Sequence, residues 1–144
     1  MRESALVIIG TIGGMIGSML GGCDYQLRAL MILMLVDYVS GLVVAGVFKK
    51  SRKSDSGALD SHTGFKGIVK KCMMLLLVLV GYQLDYVIGS DFVRFGVIVA
   101  LIANETLSIT ENAGLMGVPI PKMLKQAIQI LKKKGDEEIG KPQQ

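Results

Sequence analysis

The sequence predicts an all-α membrane protein, with four transmembrane helices in two hairpins and a basic amphipathic helix after them. Three observations support this fold class: apolar residues come in four blocks, polar segments separate the blocks, and basic residues gather on one side of them. Apolar residues make up 51% of the chain, and the mean hydropathy is +0.50. A soluble domain of this length would instead alternate apolar and polar residues along its elements.

The four apolar blocks are the predicted membrane spans of a single domain, residues 1–144. A hydrocarbon core about 30 Å thick needs about 20 helical residues. Short connections join the first block to the second and the third to the fourth, which predicts two helical hairpins. The fourth block is long enough only if its helix continues through the polar segment NETLSITEN, residues 104–112. The predicted helices are about 5–22, 27–48, 72–90 and 92–116.

The distribution of Lys and Arg predicts the orientation in the membrane, because cytoplasmic segments carry an excess of both. With four spans, all of the 16 basic residues except Arg28 and Arg94 lie on one side. That side holds the N-terminus, the predicted loop 49–71 and the C-terminal tail. A short helix is expected at the end of that loop, before the third block. The sequence therefore predicts a multi-pass protein whose N- and C-termini are both cytoplasmic.

The first block carries glycines at helical spacing. On a helix they fall within an arc of roughly 100°. A face of small residues lets two helices approach closely in lipid, where no hydrophobic force drives helices together. We expect a helix–helix contact there, either within one subunit or between subunits. The candidate helix-packing residues are Gly10, Gly13, Gly14, Gly17 and Gly21.

An acidic residue, Asp37, lies near the middle of the second block. A carboxylate at that depth costs on the order of 2.5–3.5 kcal/mol unless it is protonated, paired or hydrated. Two roles are open for this intramembrane acid. It is either a hydrogen-bonded contact between helices or a functional group.

The segment NETLSITEN places an ordered polar stripe on an apolar helix. Its polar residues project within an arc of about 120°. Such a stripe faces water or protein rather than lipid. It either lines an aqueous path or marks the place where the helix leaves the bilayer, with Glu111 already at the surface. The candidate pore-lining residues are Asn104, Glu105, Ser108, Glu111 and Asn112.

The tail segment 121–134 predicts a cytoplasmic amphipathic helix. Leu124, Ile128 and Leu131 repeat at helical spacing, and lysines lie largely on the other side. Such a helix is typical of one that lies on an anionic phospholipid bilayer, and a solvated charged tail is the alternative. Residues 135–144 are predicted to be disordered. The candidate membrane-surface residues are Lys122, Lys125, Lys132, Lys133 and Lys134.

No pattern in the sequence indicates a catalytic, cofactor or metal site, or a nucleic-acid partner. Cys23 and Cys72 have no metal-ligand spacing. Asp60, Ser61 and His62 are neighbours in sequence, which is poor geometry for a catalytic triad. We therefore expect a protein that is not an enzyme and that needs no cofactor.

The chain carries three motifs of one known family: VDYVSG (36–41), SGALDSHTGFKGIVKK (56–71) and IANETLSITENAGLMGVPIPKMLKQAI (102–128). Together they resemble the toxin-secretion/phage-lysis holin family, holin superfamily IV, of Gram-positive phages and clostridial toxin loci. The resemblance covers roughly residues 27–131. It implies a protein that accumulates in the bacterial (host) cytoplasmic membrane, forms homo-oligomers and opens lesions at a set time. An endolysin, or in some members a large toxin, then escapes.

Members of that family are often described with three spans, whereas the apolar blocks here fit four. Two other functions are alternatives. A small four-helix multidrug-type transporter would need an indispensable carboxylate early in the chain, and the first block contains none. An antiholin, or a membrane scaffold, fits the same motifs as a holin.

Overall fold

The computed structural model describes residues 2–139, with side chains to residue 136, and contains no β-strand within those residues. A π-helical turn, Val44–Phe48, continues the second helix toward the loop of residues 49–60. The five α-helices, in chain order, are α1 (Arg2–Met19), α2 (Tyr25–Val43), α3 (Ser61–Ile88), α4 (Phe92–Leu115) and α5 (Lys122–Ile139).

Three helices within residues 2–139 are long and apolar enough to cross a membrane: Tyr25–Phe48, Ser61–Ile88 and Phe92–Leu115. At about 1.5 Å per residue their lengths are about 36–42 Å, which exceeds a hydrocarbon core of about 30 Å. The predicted all-α membrane protein is thereby confirmed. Helix α1 is not one of the three, so the fourth span stays a prediction.

The three spans pack around a shared apolar core, and α4 contacts both α2 and α3 extensively. Leu30, Val78 and Ile98 are completely buried at its centre. The outward faces of the spans remain apolar and exposed, as at Leu35 and Leu76, which suits contact with lipid. The buried core residues are Leu20, Leu27, Leu30, Met34, Met74, Val78 and Ile98.

Helix α1 stands largely apart from these three spans. Its apolar side chains are exposed on all sides, Leu6 and Ile9 among them. The helix ends at Met19 and not at residue 22 as predicted, because Gly21 and Gly22 have φ angles of +85° and +94°. Glycine adopts such angles readily, but a right-handed helix excludes them. The assignment of Gly21 to the glycine face of a helix is therefore wrong, and Gly21 is a turn residue.

Helix α3 begins at Ser61, so the short helix expected before the third block and the span predicted from residue 72 form one continuous helix. Asp60 caps this early start, since its carboxylate accepts hydrogen bonds from the backbone N–H groups of His62 and Thr63. The bond from the Thr63 hydroxyl, with those two N–H bonds, holds the pKa of Asp60 below its usual range. The loop therefore spans residues 49–60 only. The additional helical turns place Lys71 between the three spans.

The opposite end of the bundle, which we call the turn end, contains the turns at residues 20–24 and 89–91. Asp85 on α3 caps α4 there by accepting bonds from the backbone N–H groups of Val93 at 2.9 Å and Arg94 at 2.8 Å. The Arg94 guanidinium donates to the carbonyl oxygens of Leu20 at 2.6 Å and Gly22 at 3.1 Å. These bonds fasten the α1–α2 turn to the start of α4.

Helix α5 folds back along α4 after the turn at residues 116–121. Ile128 and Gly135 are buried in this contact, and a Cβ built on Gly135 would lie 3.6 Å from the Cβ of Ala100. Helix α5 extends to Ile139, so the prediction of disorder is wrong for residues 135–139. Residues 140–144 lie outside the described residues.

Candidate functional site

An ion cluster of Asp37, Lys71 and Glu105 joins all three spans at their interior. Lys71 on α3 donates through Nζ to Asp37 on α2 at 2.8 Å and to Glu105 on α4. The three side chains are 6%, 16% and 2% exposed in the order Asp37, Lys71, Glu105. At about 1.5 Å per residue, Asp37 lies about 18 Å from Tyr25, and Glu105 about 20 Å from Phe92. The cluster thus lies well inside the length of the spans.

Two neutral side chains extend the ion cluster along α2 and α4. Asn112 on α4 donates through Nδ2 to Ser40 Oγ at 2.9 Å and to Asp37 Oδ1 at 3.3 Å. In the described part of the chain, no buried side-chain nitrogen or oxygen lacks a hydrogen-bond partner. Buried charges are tolerated when they are paired and fully hydrogen-bonded. Of the two roles open for Asp37, the contact between helices is the one that the structure contains.

The ion cluster has two carboxylates for one ammonium group, so its ionised form carries one excess negative charge. Such a charge is costly in hydrocarbon unless water or a further cation approaches it. The ion cluster links three helices, and its charged groups would become hydrated if the helices separated. Within residues 2–139, no group of three or more His, Cys, Asp or Glu side chains could hold a metal ion.

A cavity of about 510 Å³ opens beside the ion cluster, among α2, α3, α4 and loop 49–60. All three residues of the cluster contribute to its lining. A cavity of this size has room for several water molecules, because each needs only about 30 Å³, and its charged lining residues can hydrogen-bond them. The cavity therefore gives water a route to the excess charge.

The five residues of the predicted polar stripe have different environments. Asn104 and Glu111 are exposed, Ser108 is half-buried, and Glu105 and Asn112 are buried against other spans. An arc of about 120° is wide enough for one edge of α4 to contact α2 while the other edge faces the cavity. Four of the five line the cavity: Asn104, Glu105, Ser108 and Glu111.

Lys71 is the site residue that the sequence reasoning missed. It directly precedes the third apolar block, so it was counted with the cytoplasmic loop. The signal that could have found it is Asp37, because an acid in mid-span calls for a basic partner. Lys70 and Lys71 are the basic residues next to that block.

The glycine face of α1 makes no contact with another helix in the described part of the chain. A Cβ built on any of its four helical glycines meets no neighbouring atom within 4 Å. The face is therefore open to lipid or to another subunit. These glycines are Gly10, Gly13, Gly14 and Gly17.

The predicted lysines of α5 are all exposed, while its apolar side is only partly covered by protein, since Leu124 is 37% exposed. Ile128 is 6% exposed and Leu131 is half-buried against α4. In this arrangement α4 covers the part of the apolar face around Ile128 and Leu131. The exposed lysines are Lys122, Lys125, Lys132, Lys133 and Lys134.

Residues 14–133 match the sequence profile of the bacteriophage holin family. That segment contains all three spans, the ion cluster and most of α5. The chain belongs to the bacteriophage holin family. Its resemblance to phage-lysis holins is thus confirmed, and so is its assignment to membrane proteins.

Relatives of this holin-family chain occur in phages and in bacteria. A probable holin of Bacillus phage phi105 is 29% identical over 119 residues, which cover 82% of each chain. An uncharacterised protein of Listeria innocua is 38% identical over 128 residues, covering 88% of this chain and 86% of the relative. An uncharacterised protein of Halalkalibacterium halodurans is 36% identical over 143 residues, covering 95% and 96%. No solved structure matches the chain significantly.

Proposed function

We propose that this chain is a holin that self-associates in the bacterial cytoplasmic membrane and permeabilises it at a set time. An endolysin, or a large toxin, would cross the membrane through the resulting lesion. The observation that carries this proposal is the family match over residues 14–133, which include all three spans. The direct test is induced expression in bacteria while respiration, viability and dye entry are followed. Abrupt killing after a delay supports a holin, and sustained growth contradicts it.

The cavity beside the ion cluster is the one feature that favours a small multidrug-type transporter. Such a transporter needs a carboxylate that is free to exchange a proton for a cationic substrate. Here Lys71 contacts both Asp37 and Glu105, so neither carboxylate is free of a partner in this arrangement, which weighs against that function. In the same expression test, growth with drug resistance would support a transporter, and growth without resistance would support an antiholin or a scaffold.

The proposed topology has four spans with both termini in the cytoplasm. It is supported by the basic residues, of which all but Arg28 and Arg94 lie on one side. This topology can be tested by labelling intact cells with an impermeant thiol reagent. The two native cysteines are replaced by alanine, and single cysteines are introduced at Glu3, Asp55 and Gln129. None of the three should be labelled. Labelling at Glu3 alone would show that α1 does not cross the membrane.

The glycine face of α1 is proposed as the contact through which subunits assemble. It is supported by the absence of any neighbouring atom within 4 Å of the Cβ positions at Gly13 and Gly17. Gly13→Leu and Gly17→Leu should separate the packed backbones, lower the oligomer size in detergent and delay lysis. Thr11→Leu adds bulk outside the glycine arc and is the matched control. If all three variants keep the wild-type oligomer and lysis time, the face does not mediate assembly.

The polar stripe of α4 is proposed to line water once subunits assemble. Opening would separate Glu105 from Lys71, so that a ring of carboxylates faces the lumen and favours cations while the hole is small. Glu105→Gln keeps the shape of the side chain and removes its charge. It should shift the lysis time, or the ion preference of small conductances, more than Glu111→Gln does. Equal effects of the two variants would contradict this assignment.

The lysines of α5 are proposed to hold the cytoplasmic side of the protein against anionic lipid. Five lysines cannot lie beside a span within hydrocarbon, so α5 must leave α4 when α4 is embedded. Disulfide crosslinking tests the surface position of α5, with cysteines introduced at Ala100 and Gly135 in the same chain without native cysteines. When α5 is docked on α4, their Cβ atoms would be close enough to form a disulfide. We expect no crosslink in membranes. Efficient crosslinking there would refute the surface position.

A further inference from the structure

We propose that the cavity at the loop 49–60 end of the spans binds the phosphate-bearing headgroup of an anionic membrane lipid. The cavity lies among α2, α3, α4 and that loop, and it has a volume of about 510 Å³. This site goes beyond the proposed holin activity. It needs only that the three spans are embedded, and its placement in the inner leaflet rests on the proposed topology.

The charges that line the cavity are equal in number, but most of the acidic ones already have partners. Asp37 and Glu105 share Lys71, and Asp60 accepts bonds from the start of α3. Among the remaining lining residues, three lysines face a single carboxylate, Glu111. No hydrogen bond or ion pair within the described residues engages these three ammonium groups, although Lys53 attracts the Asp37 carboxylate electrostatically. They are Lys53, Lys66 and Lys70.

The three ammonium groups reach the same cavity from two elements. Lys66 and Lys70 are one turn apart on α3, and Lys53 comes from loop 49–60. Like charges at this helical spacing repel each other, so an anion between them relieves the repulsion. A phosphodiester carries one negative charge on oxygens that accept several charge-assisted hydrogen bonds at once. Its chemistry therefore matches this group of three lysines.

The lining of the cavity also contains apolar side chains, which favours a lipid over free phosphate. Leu42, Ala45, Leu59 and Leu107 line it alongside the charged residues. Its volume also falls in the range of roughly 300–1,000 Å³ that small-molecule sites occupy. An amphiphile would place its phosphate near the lysines and its glycerol and first acyl carbons against the leucines. Basic pockets between transmembrane helices on the cytoplasmic side are a known form of headgroup site.

The test is retention of lipid by the purified full-length protein, measured by native mass spectrometry. Phosphatidylglycerol is compared with phosphatidylcholine of the same acyl chains, and glycerol phosphate serves as the free-phosphate competitor. The variant K53Q/K66Q/K70Q removes the three cavity lysines. The control K49Q/K50Q/R52Q makes the same charge change at the same end of the bundle, outside the lining.

We expect the wild type and the control to retain phosphatidylglycerol over phosphatidylcholine, and the cavity variant to lose roughly tenfold or more of that retention. Equal loss in the control would show diffuse attraction and overturn the site. Displacement by glycerol phosphate would overturn the lipid assignment in favour of a free-phosphate site. Circular dichroism checks folding. If the triple variant loses helicity, the single variants K66Q and K70Q decide, and wild-type retention in both would refute the proposal.

Discussion

Replacing Lys71 with methionine should destabilise the packing of the three spans. The side chain keeps nearly its length but loses the ammonium group that pairs with both Asp37 and Glu105. The two carboxylates are 6% and 2% exposed, so each would be left buried with one partner fewer. Breaking a buried ion pair from one side costs about 3–5 kcal/mol. At about 1.4 kcal/mol per tenfold, the ratio of folded to unfolded protein should fall by roughly 10² to 10⁴.

The assay is unfolding of the purified protein in mixed micelles with rising sodium dodecyl sulfate, followed by circular dichroism. Lys50→Met is the control, because Lys50 is an exposed loop residue that makes no such pair. Combining Lys71→Met with Asp37→Asn and Glu105→Gln removes all three charges and should recover most of the lost stability. An unchanged midpoint for Lys71→Met, or no recovery in the triple variant, would refute the reasoning.

Three further predictions concern the turn end and use thermal unfolding in detergent. Arg94 also donates through Nη1 to the Asp24 carboxylate at 2.5 Å, and this bond lowers the pKa of Asp24. The Arg94–Asp24 ion pair should therefore contribute stability above pH 3.8 and lose it as the pH falls through the lowered value. Arg94→Gln should remove this part of the acid sensitivity, and an unchanged pH profile would contradict the assignment. Gly21→Ala should lower the free energy of unfolding by about 1–3 kcal/mol more than Gly22→Ala does. Both glycines have positive φ, but only at Gly21 do side-chain atoms lie within 3 Å of the added Cβ. Gly81→Ala should also lower the free energy of unfolding by about 1–3 kcal/mol, because the added Cβ would lie 3.1 Å from the Cα of Arg94. An unfolding midpoint equal to that of the wild type would count against this close approach.

Hydropathy identified the regions of the three spans because a long apolar block indicates a membrane span whatever its tertiary contacts are. The same measure failed for residues 61–71, where lysines lower the hydropathy although the chain is helical. The helix begins there because Asp60 caps it, and a cap is a local signal that block averaging removes.

Partners in space were harder to predict than elements. Helical spacing put Glu105 and Asn112 on one stripe, but it does not say which neighbour each meets. Their burial against α2 and α3 depends on how the spans are rotated, which is set by packing over the whole core. Gly21 illustrates a different limit. A regular glycine spacing looks the same on a helix face and at a helix end, where glycine commonly terminates the helix.

The ion cluster also has an order in time, because a ribosome delivers its members one after another. Asp37 precedes Lys71 by 34 residues, and Lys71 precedes Glu105 by 34. The first acid therefore precedes its base along the chain, and the second acid arrives only with the last of the three spans. A chain interrupted after α2 would contain Asp37 without Lys71 or Glu105. Only a chain made through α4 can form the complete cluster, so the pairing of Asp37 depends on completion of the subunit.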